Sequence, residues 1–462
     1  MKTKQAKFYH GLISIGVLAA LMFVSVVVLG TEPQIPLVLG CIIAGIIATV
    51  IGYKWDDILE SMLTGIHQSL EAVLILFAIG ILVSTWIASG TVPAMIYYGL
   101  SIVTPRTFLV ATFVVCSIVS MIVGAWGTVG SVGLAFLGIG QTIGLDSAIV
   151  VGAIVAGAYV GDKLSPFSDG TNLAASVAGA DLFKMIKEMF GLFGVIYIIC
   201  IIVYVVIGLG LPVADAAEIA ASIDPLQEAI AGNFKIGVFS FLPLVVMIVC
   251  VIFKMPSLPA LLVGAFAGAL QAVFVQGIGA TEIIGFATSG FVSETGLPFL
   301  DDLLSAGGLE TMLRTVSIIV IAMAFGGIMQ GTGQMEALVE PIVKRIRSWA
   351  SMIAVTIVTC IGANILLPDQ YLGITVPGQM YGREFEKRGM SKELLGNVLG
   401  AGAAVTSALV PWNTCGMYVQ TILGASAPEY GIYAVFNWVL PIGMILFGIL
   451  LTAKNRRKTG EA

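Results

Sequence analysis

Charged residues, histidines and paired cysteines are scarce in this chain. Of its 462 residues, 11% are charged and two are histidines, whereas a soluble domain carries about 25% charged residues. The six cysteines lie singly in apolar segments, a pattern that excludes a disulfide framework and a zinc motif. Glycine-rich phosphate-binding motifs and a serine nucleophile elbow are also missing. The sequence therefore predicts neither an ATP-driven pump nor an enzyme, and it indicates no cofactor.

Long apolar segments make up most of the chain. Hydrophobic residues account for 58% of the sequence, and runs such as 12–29, 70–87 and 433–451 approach the ~20 residues that a membrane-spanning helix needs. The first run lacks a small-x-small cleavage site after it, so we expect it to be retained as a spanning helix. The sequence predicts an all-α polytopic membrane protein whose surroundings are the lipid bilayer, and it gives no indication of nucleic-acid binding.

Basic residues are clustered in a few segments between the apolar runs. Lysine and arginine concentrate in cytoplasmic segments of membrane proteins. We therefore expect both termini in the cytoplasm, which requires an even number of complete crossings. The clusters lie at 2–7, 344–347, 383–392 and 454–458.

Two short polar segments interrupt otherwise apolar sequence. The first runs from Gly161 to Asn172 and the second from Val410 to Gly416. Each has a hydrophobic stretch before it and another after it, and these stretches are too short to cross a bilayer. Charge at membrane depth is costly, and interrupted helices in corresponding positions of two halves indicate a transporter's binding site. The pattern predicts two broken helices, over 147–183 and 394–425.

An apolar segment with a break of its own precedes each polar segment. Residues 107–145 are broken at Gly124–Gly130, with the tip expected near Trp126–Thr128, and residues 350–381 are broken at Pro368–Gln370. The arms on either side are too short for two ordinary crossings. The sequence therefore predicts two re-entrant hairpins, over 107–145 and 350–381.

The same order of elements in both halves indicates a duplication. If the two repeats are inverted relative to each other, the two breaks meet near the membrane midplane. The resulting division is an N-terminal helix over 1–34, a first repeat over 35–211, a connector over 212–235, a second repeat over 236–453 and a cytoplasmic tail over 454–462.

Oxygen-bearing side chains are concentrated at these breaks. Such hard donors suit Na⁺ and not a soft metal, and a desolvated carboxylate also takes up a proton, so Na⁺ and H⁺ would compete. Asp162, Asp369 and Thr128 are further candidates for the ion site. The residues expected to bind Na⁺ are Asp169, Thr171, Asn172, Asn413 and Thr414.

Lys163 lies between the candidate acids of the first polar segment and allows three interpretations. It could form a salt bridge that holds the broken helix, the ordinary role of a buried lysine. It could instead be an internal charge that replaces a bound cation, or it could bind a substrate carboxylate. A channel is a competing interpretation for the whole chain. Two unequal breaks with buried acids favour alternating access, and saturable exchange would exclude the channel.

The first polar segment resembles a known signature. Gly161-Asp-Lys-Leu-Ser-Pro-Phe-Ser-Asp-Gly-Thr-Asn-Leu-Ala174, with Ala178–Phe183, is similar to that of NhaC-type sodium/proton antiporters, and residues 125–128 and 410–416 match the same family. The resemblance covers nearly the whole chain. It implies the ion-transporter superfamily, with inverted repeats, elevator-like motion and a homodimer in the bacterial inner membrane.

The same resemblance implies the activity. The family's common activity is export of Na⁺ in exchange for H⁺ uptake, which we take as the leading hypothesis. The family also contains Na⁺- and H⁺-coupled malate/lactate antiporters. The motifs do not separate the two activities, so malate/lactate exchange remains the alternative.

Overall fold

The computed structural model describes residues 5–22, 24–25, 29, 31–102, 105–165, 168–210, 216–253, 255–343, 348–366 and 369–459. Regular structure in these ranges is helical, which confirms the all-α prediction. Within the described residues, six helices are long and apolar enough to cross a membrane, or up to nine if each sharply bent pair counts as one span. The chain is therefore a multi-pass membrane protein.

The described part of the chain as far as residue 233 contains eleven helices. Several are interrupted or closely followed by another helix, and a π-helix over Val129–Gly133 joins the sixth to the seventh. They are α1 (Phe8–Met22), α2 (Gln34–Ile51), α3 (Trp55–Gln68), α4 (Leu70–Ala88), α5 (Thr91–Ile102), α6 (Pro105–Thr128), α7 (Leu134–Thr142), α8 (Ser147–Leu164), α9 (Asp169–Ala178), α10 (Leu182–Gly210) and α11 (Ala216–Asn233).

Twelve further helices complete the chain. Two π-helices, Ala272–Gln276 and Gly400–Ala404, follow the thirteenth and the twentieth. The helices are α12 (Leu242–Ile252), α13 (Ser257–Gln271), α14 (Ala280–Ser289), α15 (Pro298–Leu304), α16 (Leu309–Gly331), α17 (Gln334–Val343), α18 (Trp349–Leu366), α19 (Gln370–Lys387), α20 (Lys392–Leu399), α21 (Thr414–Leu423), α22 (Ala427–Tyr430) and α23 (Val435–Thr459).

Helix α8 lies directly against α6, and two glycines make this close approach possible. Gly157 and Gly161 are four residues apart, so they lie on the same face of α8. A Cβ atom on Gly157 would lie 2.8 Å from Cβ of Cys116, and one on Gly161 would lie 2.7 Å from the Met121 nitrogen. Small residues at this spacing let membrane helices approach closely. The packing places Asp162, which follows Gly161, beside the break in α6.

The segment of the second predicted hairpin contains two helices in contact, and that they are re-entrant stays a prediction. Helices α18 and α19 pack against each other, and the break between them covers residues 367–369. Pro368 lies outside the described residues. Helix α19 continues to Lys387, beyond the predicted end at 381, because its last turns are polar and ion pairs such as Lys387–Glu384 (2.7 Å) lie along them.

Within the first predicted hairpin the helix is interrupted at Gly124, the first residue of the predicted break, and before the expected tip near Trp126–Thr128. Gly124 alone has non-helical angles within α6 (φ 78°, ψ 171°), so the chain is interrupted two residues before Trp126. Thr128, expected at the tip, lies within helix and is fully buried. A positive φ costs glycine little, which explains why the interruption falls there. That the two arms enter the membrane as a re-entrant hairpin stays a prediction.

Both predicted broken helices are interrupted. Helices α8 and α9 are separated by residues 165–168, of which Pro166 lies outside the described residues. Helix α9 ends before Gly179 (φ 64°), so the predicted end at 183 is too late. The second interruption runs from the π-helix at Gly400 to α21, and the two parts are bent by 41°.

The long closing helices of the two halves, α10 and α23, each pack against helices of both halves. Helix α10 packs against α6 of its own half and α20 of the other, whereas α23 packs against α18 of its own half and α8 of the other. Because α6 corresponds to α18 and α8 to α20, this is the arrangement that a duplication would produce. The duplication and its inversion stay predictions.

Candidate functional site

The Asp162 carboxylate lies where the first broken helix meets the break in α6. Its Oδ1 accepts a hydrogen bond from the Ala125 N–H (3.1 Å), and its Oδ2 accepts one from the Ser168 hydroxyl (2.7 Å). Ser168 also caps α9 by accepting a bond from the Thr171 N–H. A carboxylate offers about four acceptor sites, so Asp162 keeps acceptor capacity for a cation.

The Asp369 carboxylate has an equivalent place in the second half. It caps α19: its Oδ1 accepts bonds from the N–H groups of Tyr371 (2.8 Å) and Leu372 (3.3 Å). Its Oδ2 accepts a bond from the Thr414 hydroxyl (3.2 Å), at the start of α21. Asp369 is completely buried. One acceptor site of this carboxylate remains for an ion.

Two amide side chains complete the surroundings of Asp369. Asn413 caps α21 by accepting from the Cys415 N–H (3.2 Å), and its Nδ2 donates to the backbone oxygen of Asn364 (3.1 Å). Asn364 on α18 donates to the Ala403 oxygen (2.7 Å), and its own Oδ1 is buried without a hydrogen-bond partner. The second break thus gathers a carboxylate, a hydroxyl and two amide oxygens, which are donors that suit Na⁺.

The start of α9 approaches the second half. A Cβ atom on Gly170 would lie 3.7 Å from Cβ of Ala404 in the π-helix and 3.9 Å from Oε1 of Gln370 at the start of α19. Helix α9 also packs along α19 and α20. The elements of the two breaks are therefore in contact, whereas their place at the membrane midplane stays a prediction.

The Lys163 side chain crosses from the first broken helix to the second. Its Nζ contacts Gly400, at the start of the π-helix, and the side chain is 3% exposed. The ammonium has no hydrogen-bond partner. Among the described side chains Lys163 forms no salt bridge, because the carboxylate of Asp162 is directed toward Ala125 and Ser168. A desolvated charge without a partner is costly.

The residues predicted to bind Na⁺ lie in two groups. The Thr171 hydroxyl donates to the backbone oxygen of Asp162 (3.2 Å), while Asn413 and Thr414 are at Asp369. Asn172 is exposed, and its amide donates to the Ser168 oxygen (2.8 Å). The side chain of Asp169 lies outside the described part of the structure.

Thr128, the remaining predicted site residue, is turned toward its own helix. Its hydroxyl donates to the Gly124 oxygen (2.9 Å). The structure therefore places Thr128 beside the break, in the same segment as the Ala125 donor to Asp162.

Sequence reasoning missed three residues of the site: Ser168, Asn364 and Gln370. Ser168 stands in the first polar segment and precedes a helix start, which is a usual signal for an N-cap. Asn364 is a lone amide in an apolar run, and such a residue in a membrane segment needs a partner. Gln370 is part of the sequence prediction only as the last residue of the break at Pro368–Gln370. Ser168 contacts Asp162 across the first break, whereas Asn364 and Gln370 contact residues that are distant in sequence.

The geometry favours cation exchange. Among the described residues, no group of three His, Cys, Asp or Glu side chains could hold a metal, so a cation here would rely on one carboxylate together with hydroxyl, amide and backbone oxygens. Such mixed shells bind hard cations weakly enough for release. Two carboxylates at two adjoining breaks can each hold a cation or a proton.

Comparison with known proteins places these features in context. A family model described as the Na⁺/H⁺ antiporter family matches residues 2–209 and 157–450. The Na⁺/H⁺ antiporter NhaC of Alkalihalophilus pseudofirmus is 33% identical over 449 residues, 97% of this chain and 96% of that protein.

Two further relatives are named for other substrates. The malate-2H⁺/Na⁺-lactate antiporter of Bacillus subtilis is 34% identical over 443 residues, 95% of this chain and 93% of that protein. The arginine/ornithine antiporter ArcD of Halobacterium salinarum is 31% identical over 447 residues, 96% of this chain and 92% of that protein. Because the sequence identity to carriers of different substrates is similar, it does not determine the substrate of this chain, and the geometry of the site has to be used instead.

Proposed function

Because the chain belongs to the Na⁺/H⁺ antiporter family, we propose that it is a secondary antiporter that exports Na⁺ in exchange for H⁺ uptake. The observation that carries the proposal is Asp369: a fully buried carboxylate at a helix break, held by two backbone N–H groups and the Thr414 hydroxyl. A buried carboxylate is neutral when it holds a proton and is compensated when it holds Na⁺.

Competition for the carboxylates explains the exchange. A carrier loaded with either ion crosses with its charge compensated, whereas the empty carrier would move an uncompensated carboxylate, which is costly in low dielectric. Asp162 and Asp369 are the two proposed acidic sites. Thr171, Asn413 and Thr414 supply further oxygens, and Asp169 and Asn172 remain members of the proposed Na⁺ site.

The wider arrangement in the membrane is part of the same proposal. The two contacting breaks and the crosswise packing of α10 and α23 support inverted repeats. We propose an elevator-type motion of the two hairpins and broken helices against a scaffold that contains α2, α3, α4, α13 and α16, which pack on one another. We also propose a homodimer in the bacterial plasma membrane with both termini in the cytoplasm.

Coupled malate/lactate exchange is the second candidate, and one observation favours it. The Lys163 ammonium is buried and has no hydrogen-bond partner, so a substrate carboxylate could neutralise it. The relative from Bacillus subtilis is named for that exchange. Na⁺/H⁺ exchange is nevertheless preferred, because Lys163 is the one buried cation at the described breaks, whereas two carboxylates, Asp162 and Asp369, lie at them.

Proton flux in inverted membrane vesicles tests the proposal. With a preset pH gradient, Na⁺ alone should collapse the gradient in a saturable manner, whereas K⁺ and vesicles without the protein should have no effect. A gradient that responds to Na⁺ only when malate and lactate are on opposite sides would move the assignment to the organic-acid antiporter. Flux that does not saturate and needs no counter-ion would indicate a channel.

Lys163→Ala separates the two candidates. Removing a positive charge that interacts with Asp162 should strengthen cation binding, so we expect the Na⁺ concentration for half-maximal exchange to fall about threefold to tenfold, with exchange retained. The same measurement on Lys392→Ala, an exposed lysine, should show no change. Loss of malate/lactate exchange in Lys163→Ala vesicles, with Na⁺ affinity unaltered, would contradict the preferred assignment.

A further inference from the structure

Helix α21 is in contact with both carboxylate sites. Its first residue, Thr414, donates its hydroxyl to Asp369. Tyr418 follows one turn later, so it lies on the same face of the helix. The Tyr418 hydroxyl donates to the backbone oxygen of Trp126 (2.6 Å). Because Trp126 follows Ala125, whose N–H donates to Asp162, α21 connects the two acids through four residues.

The contact between Tyr418 and Trp126 is rigid. The rings stack with centroids 5.1 Å apart and 20° between their planes, and Tyr418 is 1% exposed. On its other side the Tyr418 hydroxyl leaves little space, since a Cβ atom on Gly130 would lie 2.6 Å from it. Buried aromatic pairs of this kind hold their neighbours in one arrangement. A shift of α21 therefore moves the segment that carries the Ala125 donor.

We infer that Tyr418 and Trp126 are positioning residues that couple the two ion sites, so that occupation of Asp369 changes the affinity of Asp162 for its ion. The inference rests on the proposed function. When Asp369 releases or binds an ion, Thr414 loses or changes its acceptor, and α21 shifts with it. The shift reaches Ala125 through the Tyr418–Trp126 contact and alters the support of the Asp162 carboxylate. Neither residue touches the ion.

A double-mutant cycle on α21 tests the coupling. Tyr418→Phe removes the bond to Trp126 and keeps the ring, and Thr414→Val removes the bond to Asp369 and keeps the shape. Each should raise the Na⁺ concentration for half-maximal proton flux about fivefold, the change expected when one buried hydrogen bond is lost. Because both act through the same helix, the double variant should show less than about tenfold, whereas independent sites would give about 25-fold.

Tyr204→Phe is the matched control. Tyr204 on α10 is also fully buried, and its hydroxyl donates to the backbone oxygen of Tyr433 (2.8 Å). Its substitution should leave the Na⁺ dependence unchanged. Gly130→Ala provides a second route, because the added methyl group displaces the Tyr418 hydroxyl; it should have the effect of Tyr418→Phe and add nothing to it.

The outcomes separate the coupling from the function on which it rests. If the wild-type protein exchanges Na⁺ for H⁺, two results would overturn the coupling and leave the exchange standing. One is a double variant whose change in half-maximal Na⁺ concentration is the product of the two single changes. The other is a Tyr418→Phe protein that behaves like Tyr204→Phe. Absence of Na⁺-driven proton flux in wild-type vesicles would overturn both. A change in maximal rate alone, with the Na⁺ dependence unaltered in all variants, would indicate a purely structural role for Tyr418 and would also overturn the coupling.

Discussion

Asp369→Asn is expected to abolish Na⁺-driven proton flux while the protein remains inserted in the membrane. Asparagine is as good an N-cap as aspartate, so its side-chain oxygen can still accept the N–H groups of Tyr371 and Leu372 and keep α19 in place. What is lost is the charge and the titratable proton. A unit charge contributes roughly 4 kcal/mol to a cation at 4 Å in a semi-polar environment. We therefore expect a reduction of at least about a hundredfold.

Asp146→Asn is the matched control for Asp369→Asn. Asp146 also caps a helix, accepting the Ala148 N–H (2.8 Å) at the start of α8, but its side chain is exposed. The same isosteric change there should leave flux within about twofold of wild type. Membrane insertion is compared by the amount of protein extracted from vesicles. Retention of Na⁺-dependent flux in Asp369→Asn vesicles would exclude Asp369 as an ion-binding carboxylate.

Asp162→Asn should have an effect of similar size through the other site. The amide oxygen can accept the Ala125 N–H, and the amide nitrogen can donate to the Ser168 hydroxyl, so the local hydrogen bonds are preserved. The ion would then face a neutral group beside the Lys163 ammonium, and repulsion would no longer be balanced. We expect at least about a hundredfold loss of flux at every Na⁺ concentration, measured in the same vesicles.

Asp181→Asn provides the comparison for Asp162. Asp181 is exposed, and its carboxylate accepts the Lys184 N–H (2.8 Å) just before α10. Its substitution should not change exchange. If Asp162→Asn retained flux at high Na⁺ concentration with only a raised half-saturation, the carboxylate would be a supporting group and Asp369 alone would carry the exchanged ions.

The sequence was sufficient to predict where the helices break. Each break coincides with a local signal: a proline or glycine at the interruption and a capping side chain after it, as at Asp369 and Asn413. These signals act within a few residues and can be read directly from the chain. The bend at Gly90, between α4 and α5, was not predicted. A lone glycine in an apolar run is more often a packing residue. The role of Gly90 depends on Gln271 of α13 and on Gln276 of the following π-helix, whose amides both donate to the Ser89 oxygen.

Contacts between the two halves could not be predicted. Lys163 allows three interpretations from the sequence, and none of them predicts that its ammonium lies at Gly400 of the second half. That position follows from the close approach of α8 and α6, which sets the rotation of α8 about its axis. Asn364 is a similar case, because its partner Ala403 is fixed by packing between helices that are distant in sequence. Helical periodicity carries no information on these distances.

The packing of α10 and α23 against helices of both halves has a consequence for assembly in the membrane. Helix α10 makes its contacts with α20 only after α20 has been inserted. Helix α8 likewise packs against α23, which is synthesised much later. The N-terminal half therefore leaves part of its helical surface facing lipid until synthesis of the chain is almost finished. The two halves form one cooperative unit, and a break in the connector would yield fragments that reach the native arrangement only when both are present in the same bilayer.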